Sequence, residues 1–187
     1  VAQELGEVDM SEGQTLVEFV QWAAQNFPAD KYVLILSDHG MGWPGGWSDP
    51  APGNSGDNST PLSSRLGNNI YLSELDQALG QARSAAGIQR FEIIGMDACL
   101  MSQIEVMAAL QPHANYAVAS EEVEPSIGWA YASFLGDLVQ NPDMNGAQLG
   151  KAIVDGYIVD DQRILDPAAR AEFMRGGSPL GNFFGGG

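Results

Sequence analysis

The stretch EIIGMDACLMSQIEVM (Glu92–Met107) decides the fold of this chain, because it joins a buried strand to a helix. It begins one residue into the apolar run FEIIGM (Phe91–Met96), whose length and composition are typical of a strand covered on both faces. The residues SQIE that come next match a capping box, so we expect Ser102 to be the N-cap of a helix that runs to about Leu110. Between strand and helix lies Cys99, the only cysteine of the chain.

Two further apolar runs predict strands, KYVLILS (Lys31–Ser37) and YAVAS (Tyr116–Ser120), and we expect the first to be buried on both faces. Apolar residues at helical spacing predict helices that begin near residues 11, 73, 129 and 146. On the first two helices the inner face is expected to consist of Leu16, Phe19, Val20, Ala23 and Phe27, then Leu75, Leu79 and Ala82. This alternation predicts an α/β fold with a parallel sheet and helices on both faces.

The segment 40–69 is rich in Gly, Pro, Asn, Ser and Asp, which predicts a long loop. Long loops in compact domains are usually functional or mobile. We expect the loop to pass near the reactive residues, because it follows one strand end and precedes the next.

The chain carries 24 acidic and 8 basic residues, for a formal net charge of -16. Nucleic acid and anionic membranes are poor partners for such a surface, whereas a cationic substrate suits it, and solubility alone is the alternative. A single cysteine excludes an internal disulfide. With only His39 and His113 besides, a structural metal centre is not expected. His113 lies in the turn QPHANY, where we expect it to be exposed to solvent.

No apolar run reaches the roughly 18 residues needed to span a bilayer. The first residues, VAQE, do not match a signal peptide or an initiator Met, so we expect the chain to be a processed or excised piece. Residues 1–175 are expected to form one domain, part of a larger one, and residues 176–187 a loose Gly-rich tail.

The candidate catalytic residues, His39 and Cys99, each follow a predicted strand. Ligands of parallel sheets bind beyond the carboxyl ends of the strands, so the two side chains meet at one edge if the strands are neighbours. A helix N-terminus near Cys99 favours the thiolate, and an imidazole can move its proton. Gly40 lets a substrate carbonyl approach backbone N–H groups. The alternative is a small buried hydrophobic cysteine.

Asp97 lies two residues before Cys99, and strand alternation would put both side chains on one face. A carboxylate beside a thiol opposes the thiolate unless a cation, such as a substrate Lys or Arg, fills the space between them. The alternative is that Asp97 caps a backbone turn.

Four segments resemble the clostripain family of cysteine endopeptidases, which belongs to the caspase-like clan. YVLILSDHGMGW and IIGMDACLMSQIEV resemble its His and Cys motifs. GEVDMSEGQTLVEF resembles the segment before them, and SEEVEPSIGWAYASFL the segment after them. The four occur in the family's order, and the resemblance covers roughly residues 6 to 138.

The resemblance implies a caspase-like three-layer α/β sandwich and cleavage after Arg or Lys. It carries the catalytic dyad onto Cys99 and His39 and the oxyanion hole onto the backbone of Gly40 and Cys99. The specificity pocket for the basic residue is carried onto Asp97, and we add Glu121 and Glu122 as further candidate acids.

Members of the family often cut a loop between the His and Cys motifs. Arg65 is the only basic residue of the segment 41–69, so we expect autoprocessing there, with the two fragments staying together. Arg83 falls in a predicted helix and Arg90 abuts a predicted strand, which makes both poor cleavage sites.

Some members of the family need calcium, and no other cofactor is expected. The candidate ligands show no known calcium-loop spacing: Asp49, Asp57, Glu121, Glu122 and Glu124. The expected partners are proteins or peptides with basic residues, and the expected location is secreted or in the cell envelope. Two alternatives stay open, an inactive caspase-like binding module and a redox thiol protein, although the latter lacks a second cysteine.

Overall fold

The computed structural model describes residues 8–49, 69–125, 128–159 and 168. Within these residues it contains five helices and five strands. In chain order they are α1 (Gly13–Asn26), β1 (Val33–Ser37), β2 (Gly45–Ser48), β3 (Asn69–Tyr71), α2 (Leu72–Ala86), β4 (Phe91–Asp97), α3 (Ile104–Leu110), β5 (Ala114–Val118), α4 (Tyr131–Gln140) and α5 (Gly146–Val159).

Strands β1, β4 and β5 form a parallel three-stranded sheet with β4 in the middle. All residues of β4 except Glu92 are buried, which confirms the strand predicted from the apolar run. The register pairs Ser37, the last residue of β1, with Asp97, the last residue of β4. The two strands that precede the candidate catalytic residues therefore end at the same edge of the sheet.

Strand β1 is less covered than its apolar run suggested. Leu34 is buried, but Val33 is 40% exposed. In the part of the chain that the structure describes, β1 pairs with β4 alone. The expectation of burial on both faces is therefore wrong for β1.

Helices α1 and α2 pack closely together. Gly13 permits the approach, because a methyl group on it would lie 3.1 Å from Cβ of Ala78, and its N–H donates to Oε1 of Glu74 at 3.1 Å. Leu16 and Val20 of the predicted inner face are buried, as are Leu75, Leu79 and Ala82.

The prediction is wrong for Phe19 and Phe27, which are 51% and 59% exposed. Both rings instead contact Trp22, with centroid distances of 6.3 Å for Phe19 and 5.7 Å for Phe27. The two phenylalanines thus pack on either side of Trp22 at the surface, while Leu16, Val17 and Val20 of α1 are buried.

The segment 40–69 is not wholly irregular, because it contains β2 and the first residue of β3, which pair antiparallel. Gly45 pairs with Tyr71 and Gly46 with Ile70, and the register shifts between Gly46 and Ser48. Trp47, at this bulge, is buried and adopts a left-handed φ of 57°. Residues 50–68 lie outside the described part of the chain.

Two helices begin differently from their sequence patterns, since SEGQ (Ser11–Gln14), like SQIE, matches a capping box. Helix α3 has Gln103 as its N-cap, not Ser102, whose N–H donates to the carbonyl oxygen of Ser120 at 2.9 Å. Helix α1 has Glu12 as its N-cap, and the hydroxyl of Ser11 donates to Oδ1 of Asp9 at 2.5 Å. In both cases the serine bonds a neighbouring segment instead of its helix.

The chain divides into two compact units, and the boundary in the sequence falls between Glu124 and Pro125. Helices α4 and α5 of the second unit lie close to their predicted positions, and their buried side chains are Phe134, Leu149 and Ile153. The boundary expected at residue 175 and the tail 176–187 lie outside the described residues and stay predictions. In the described part of the chain, no helix has the length and apolarity required to cross a membrane.

Candidate active site

The loop after β1 and the loop after β4 are in direct backbone contact. The N–H of Asp38 donates to the carbonyl oxygen of Asp97 at 3.3 Å, which extends the pairing by one residue. A methyl group on Gly40 would overlap the carbonyl oxygen of Cys99 and would lie 2.9 Å from Cγ of Met101. The structure therefore brings the backbones of Gly40 and Cys99 together, as the parallel strands predicted.

The hairpin β2–β3 holds the loop that contains His39. The N–H of Trp47 donates to the carbonyl oxygen of His39 at 3.1 Å. The N–H of Met41 donates to the carbonyl oxygen of Gly45 at 2.9 Å. Gly40 and Gly46 form an isolated antiparallel bridge, and a methyl group on Gly46 would lie 2.5 Å from the carbonyl oxygen of His39. His39 thus has a fixed backbone and an exposed side chain.

Cys99 lies in a turn and not in the strand. Strand β4 ends at Asp97, so strand alternation does not extend to Cys99, and the argument that put both side chains on one face is wrong. The next residue, Leu100, has a left-handed φ of 64°, a conformation that non-glycine residues adopt at some energetic cost. Its N–H donates to the carbonyl oxygen of Glu122 at 3.1 Å, which fixes the turn.

The half-buried thiol of Cys99 contacts the backbone of Glu124. The N–H of Glu124 lies 3.3 Å from Sγ, and Sγ lies 3.8 Å from the carbonyl oxygen of the same residue. A backbone N–H directed at the sulfur can donate to a thiolate, and such bonds to charged acceptors are stronger than neutral ones. The hydrogen bonds of the described residues do not include one between the His39 ring and this thiol.

Asp97 is 4% exposed, and its Oδ2 accepts a hydrogen bond from the hydroxyl of Ser37 at 3.2 Å. Ser37 was missed in the sequence, although it is the last residue of β1 as Asp97 is of β4. The equivalent positions of Ser37 and Asp97 at the ends of two predicted strands are the signal that could have identified Ser37.

The segment after β5 runs beside the turn that contains Cys99. Glu121 and Glu122 are exposed, whereas Glu124 is buried. The N–H of Glu122 donates to the hydroxyl of Ser120 at 3.1 Å. The structure thus brings the backbone of the two candidate acids near Cys99 and leaves their side chains in solvent.

The remaining predicted site residues are Arg65, Asp57 and Asp49. Arg65 and the candidate calcium ligand Asp57 lie outside the described residues. Asp49 accepts a hydrogen bond from the N–H of Met10 at 2.8 Å. Among the residues that the structure describes, no group of three or more His, Cys, Asp or Glu side chains could hold a metal ion. Calcium binding stays a prediction.

His113 is not exposed, which corrects the expectation for its turn. It is 5% exposed, with Nε2 at 2.6 Å from Oδ1 of Asp76 and Nδ1 at 3.1 Å from a guanidinium nitrogen of Arg83. The ring is covered by α2, where Gly80 leaves space for it. His113 precedes β5, so it lies at the amino edge of the sheet, away from Cys99.

Comparison with known proteins decides the relationship of this chain. The family model of the clostripain family matches residues 1–163. This chain belongs to the clostripain family. It is similar to clostripain of Hathewaya histolytica, with 29% identity over 132 residues, which cover 67% of this chain and 24% of that protein.

Solved structures of C11 proteases support the same relationship at the level of fold. An inactive zymogen C11 protease from Parabacteroides distasonis is 23% identical, with a TM-score of 0.60 over 87% of this chain and 40% of that one. A secreted C11 cysteine protease from Bacteroides thetaiotaomicron, bound to an irreversible peptide inhibitor, is 22% identical, with a TM-score of 0.58 over 80% and 37%. The chain therefore spans well under half the length of these clostripain-family relatives. The expected caspase-like fold with a mostly parallel sheet is confirmed.

Proposed function

We propose that this chain carries the catalytic centre of a cysteine endopeptidase that cleaves after Arg or Lys, with Cys99 as nucleophile and His39 as its acid–base partner. The observation that carries the proposal is the backbone contact of Gly40 with Cys99 at the carboxyl edge of the sheet. This contact brings the backbones that carry the His39 and Cys99 side chains to one edge of the sheet, where a peptide bond would reach both.

In the proposed reaction, Sγ of Cys99 attacks the carbonyl carbon of the scissile peptide bond, and the C–N bond then breaks. The imidazole of His39 takes the thiol proton and gives it to the leaving amine, and water afterwards hydrolyses the thioester. The N–H groups of Gly40 and Cys99 would donate to the oxyanion that forms at the carbonyl oxygen. The N–H of Glu124, 3.3 Å from Sγ, would stabilise the negative sulfur before attack.

The preference for a basic residue is assigned to Asp97. Its carboxylate is buried at the edge that carries Cys99 and accepts a hydrogen bond from the hydroxyl of Ser37. A buried charge is stabilised only when an opposite charge and hydrogen bonds accompany it, which favours Arg or Lys over a neutral side chain. Glu121 and Glu122 would extend the negative charge toward solvent.

The net charge of -16 suits cationic peptide substrates, because charge complementarity speeds encounter. Since a solved relative from Bacteroides thetaiotaomicron is a secreted protease, we extend the proposal to a secreted location for this protein. We also propose that cleavage after Arg65 precedes full activity, as the existence of a zymogen relative suggests.

A positional peptide library, read for the residue before the cut, tests the proposal. Wild-type protein should cleave after Arg and Lys, and Cys99→Ala should cleave nothing. Labelling with an arginine chloromethyl ketone separates a peptidase from an inactive binding module, because only an activated Cys99 would be alkylated. Absence of both cleavage and labelling in folded, full-length protein would contradict the peptidase proposal and favour the binding module.

A further inference from the structure

A side chain outside the proposed dyad connects the two catalytic loops. Oε1 of Gln103 accepts a hydrogen bond from the N–H of Trp43 at 3.0 Å. The amide group of Gln103 also packs against Gly42, where a methyl group would lie 2.5 Å from Cδ of Gln103. Gly42 has a φ of +75°, so backbone conformation and space both favour glycine beneath this amide.

The position of Gln103 in its own helix makes this bond unexpected. Gln103 is the N-cap of α3, where a polar side chain usually accepts a hydrogen bond from the first turn. Helix α3 has no such side-chain bond. The amide oxygen is used by the loop that follows His39 instead, and a glutamine is long enough to reach it. The identity of residue 103 is therefore better explained by contact with the His39 loop than by helix capping.

The bond to Trp43 adds a side-chain connection to the two backbone contacts between these loops, Gly40 with Cys99 and the N–H of Asp38 with the carbonyl oxygen of Asp97. The turn that contains Cys99 is fixed on its other side, since the N–H groups of Leu100 and Ser102 donate to carbonyl oxygens of the segment after β5. A shift of the His39 loop relative to Cys99 must therefore break the bond between Gln103 and Trp43. The contact at Gly40 alone excludes closer approach but does not prevent separation.

We propose that Gln103 is a positioning residue that sets the His39 loop relative to Cys99, an inference that rests on the proposed peptidase function. Loss of the acceptor would free Gly42 and Trp43 from the turn that contains Cys99, so that the distance of His39 from the thiol would depend on the β2–β3 pair and the contacts at Asp38 and Gly40 alone. Because reacting groups must be aligned within about 1 Å, the chemical step should slow while substrate affinity changes little.

The test compares Gln103→Leu, which removes the acceptor, with Gln103→Glu, which retains an oxygen for the Trp43 N–H. We expect Gln103→Leu to lower kcat by about 10- to 100-fold with little change in KM, and Gln103→Glu to stay close to wild type. The rate of Cys99 alkylation by iodoacetamide should follow the same order, because a displaced His39 no longer supports the thiolate. Gln103→Met provides a second acceptor-free variant if Gln103→Leu does not fold.

Gln81→Leu, at an exposed position on α2, is the matched control and should leave both rates unchanged. Wild-type kcat and alkylation rate in Gln103→Leu would overturn the proposal. Equal loss in the Leu and Glu variants, together with a lower Tm, would also overturn it, because it would indicate a role in starting α3. If wild-type protein cleaves no peptide, the proposed function fails, and the alkylation rates alone decide whether Gln103 positions His39.

Discussion

Gly40 and Cys99 are in contact through a glycine α-carbon and a carbonyl oxygen, with no space for a methyl group between them. We expect Gly40→Ala to push the two catalytic loops apart. Overpacking of this kind costs about 1–3 kcal/mol of unfolding free energy. Peptidase activity should fall by about 10²-fold, since small displacements of reacting groups slow catalysis strongly. Denaturant unfolding and kcat measure the two effects.

Gly80→Ala is the matched control for that substitution. Gly80 lies inside α2, and a methyl group there would lie 3.7 Å from Cε1 of His113, an ordinary contact distance. Alanine in a helix interior is more stable than glycine by about 0.5–1 kcal/mol, so stability should rise slightly with unchanged activity. If both alanine variants behave alike, the contact at Gly40 has no special role.

The two histidines of the chain should respond differently to replacement by alanine. His39→Ala should lower the rate by about 10² to 10⁴, because a general acid–base group is lost. His113→Ala should leave the rate of the folded protein nearly unchanged. It should lower stability by about 1–3 kcal/mol, since Asp76 and Arg83 would lose their buried partner. Steady-state kinetics and thermal unfolding distinguish the two, and the reverse pattern would assign catalysis to His113.

The sequence predicted the edge at which the site lies, because neighbouring parallel strands that end in Ser37 and Asp97 bring His39 and Cys99 to the same edge of the sheet. It also predicted β4 to within one residue, because a central strand is covered on both faces and therefore has an apolar sequence. It did not predict the hairpin β2–β3, because GGWS (Gly45–Ser48) has no apolar alternation and depends on pairing with residues far along the chain.

Long-range contacts also explain the wrong predictions for Ser102 and His113. A capping box assumes that Ser102 bonds its own helix, whereas its N–H bonds Ser120. The burial of His113 depends on Asp76 and on the space above Gly80, and neither is adjacent in sequence. Local pattern thus identified the helices and the strands of the parallel sheet, whereas tertiary contacts decided the β2–β3 pair and the hydrogen-bond partners of the polar side chains.

Asp97→Asn should change the substrate preference. The amide keeps the shape and removes the charge, so a substrate Arg or Lys would be buried without a counter-ion and kcat/KM for such peptides should fall strongly. Neutral substrates should be nearly unaffected. Kinetics with matched Arg and norleucine peptides measure the change, with Glu121→Gln and Glu122→Gln in parallel. An unchanged Arg preference in Asp97→Asn would direct attention to the two glutamates.

Purified wild-type protein should be cut between Arg65 and Leu66, in a segment outside the described residues. The other basic residues between the motifs are protected. Arg83 lies within α2, and Nε of Arg90 donates to the carbonyl oxygen of Ala114 at 3.1 Å. Intact-mass analysis should find two fragments in wild type and neither in Cys99→Ala or Arg65→Ala. A single uncut chain with full activity would rule out autoprocessing at this site.

Turnover of an Arg-containing peptide by wild type and Cys99→Ala tests the central claim most directly. Cys99→Ala removes only the SH group, which is a small volume change. The variant should therefore remain folded, with its unfolding free energy lowered by no more than about 1.5 kcal/mol. The account predicts cleavage after Arg by the wild type and no measurable cleavage by folded Cys99→Ala. Undiminished turnover in Cys99→Ala would remove Cys99 from the mechanism and contradict the assignment of the site.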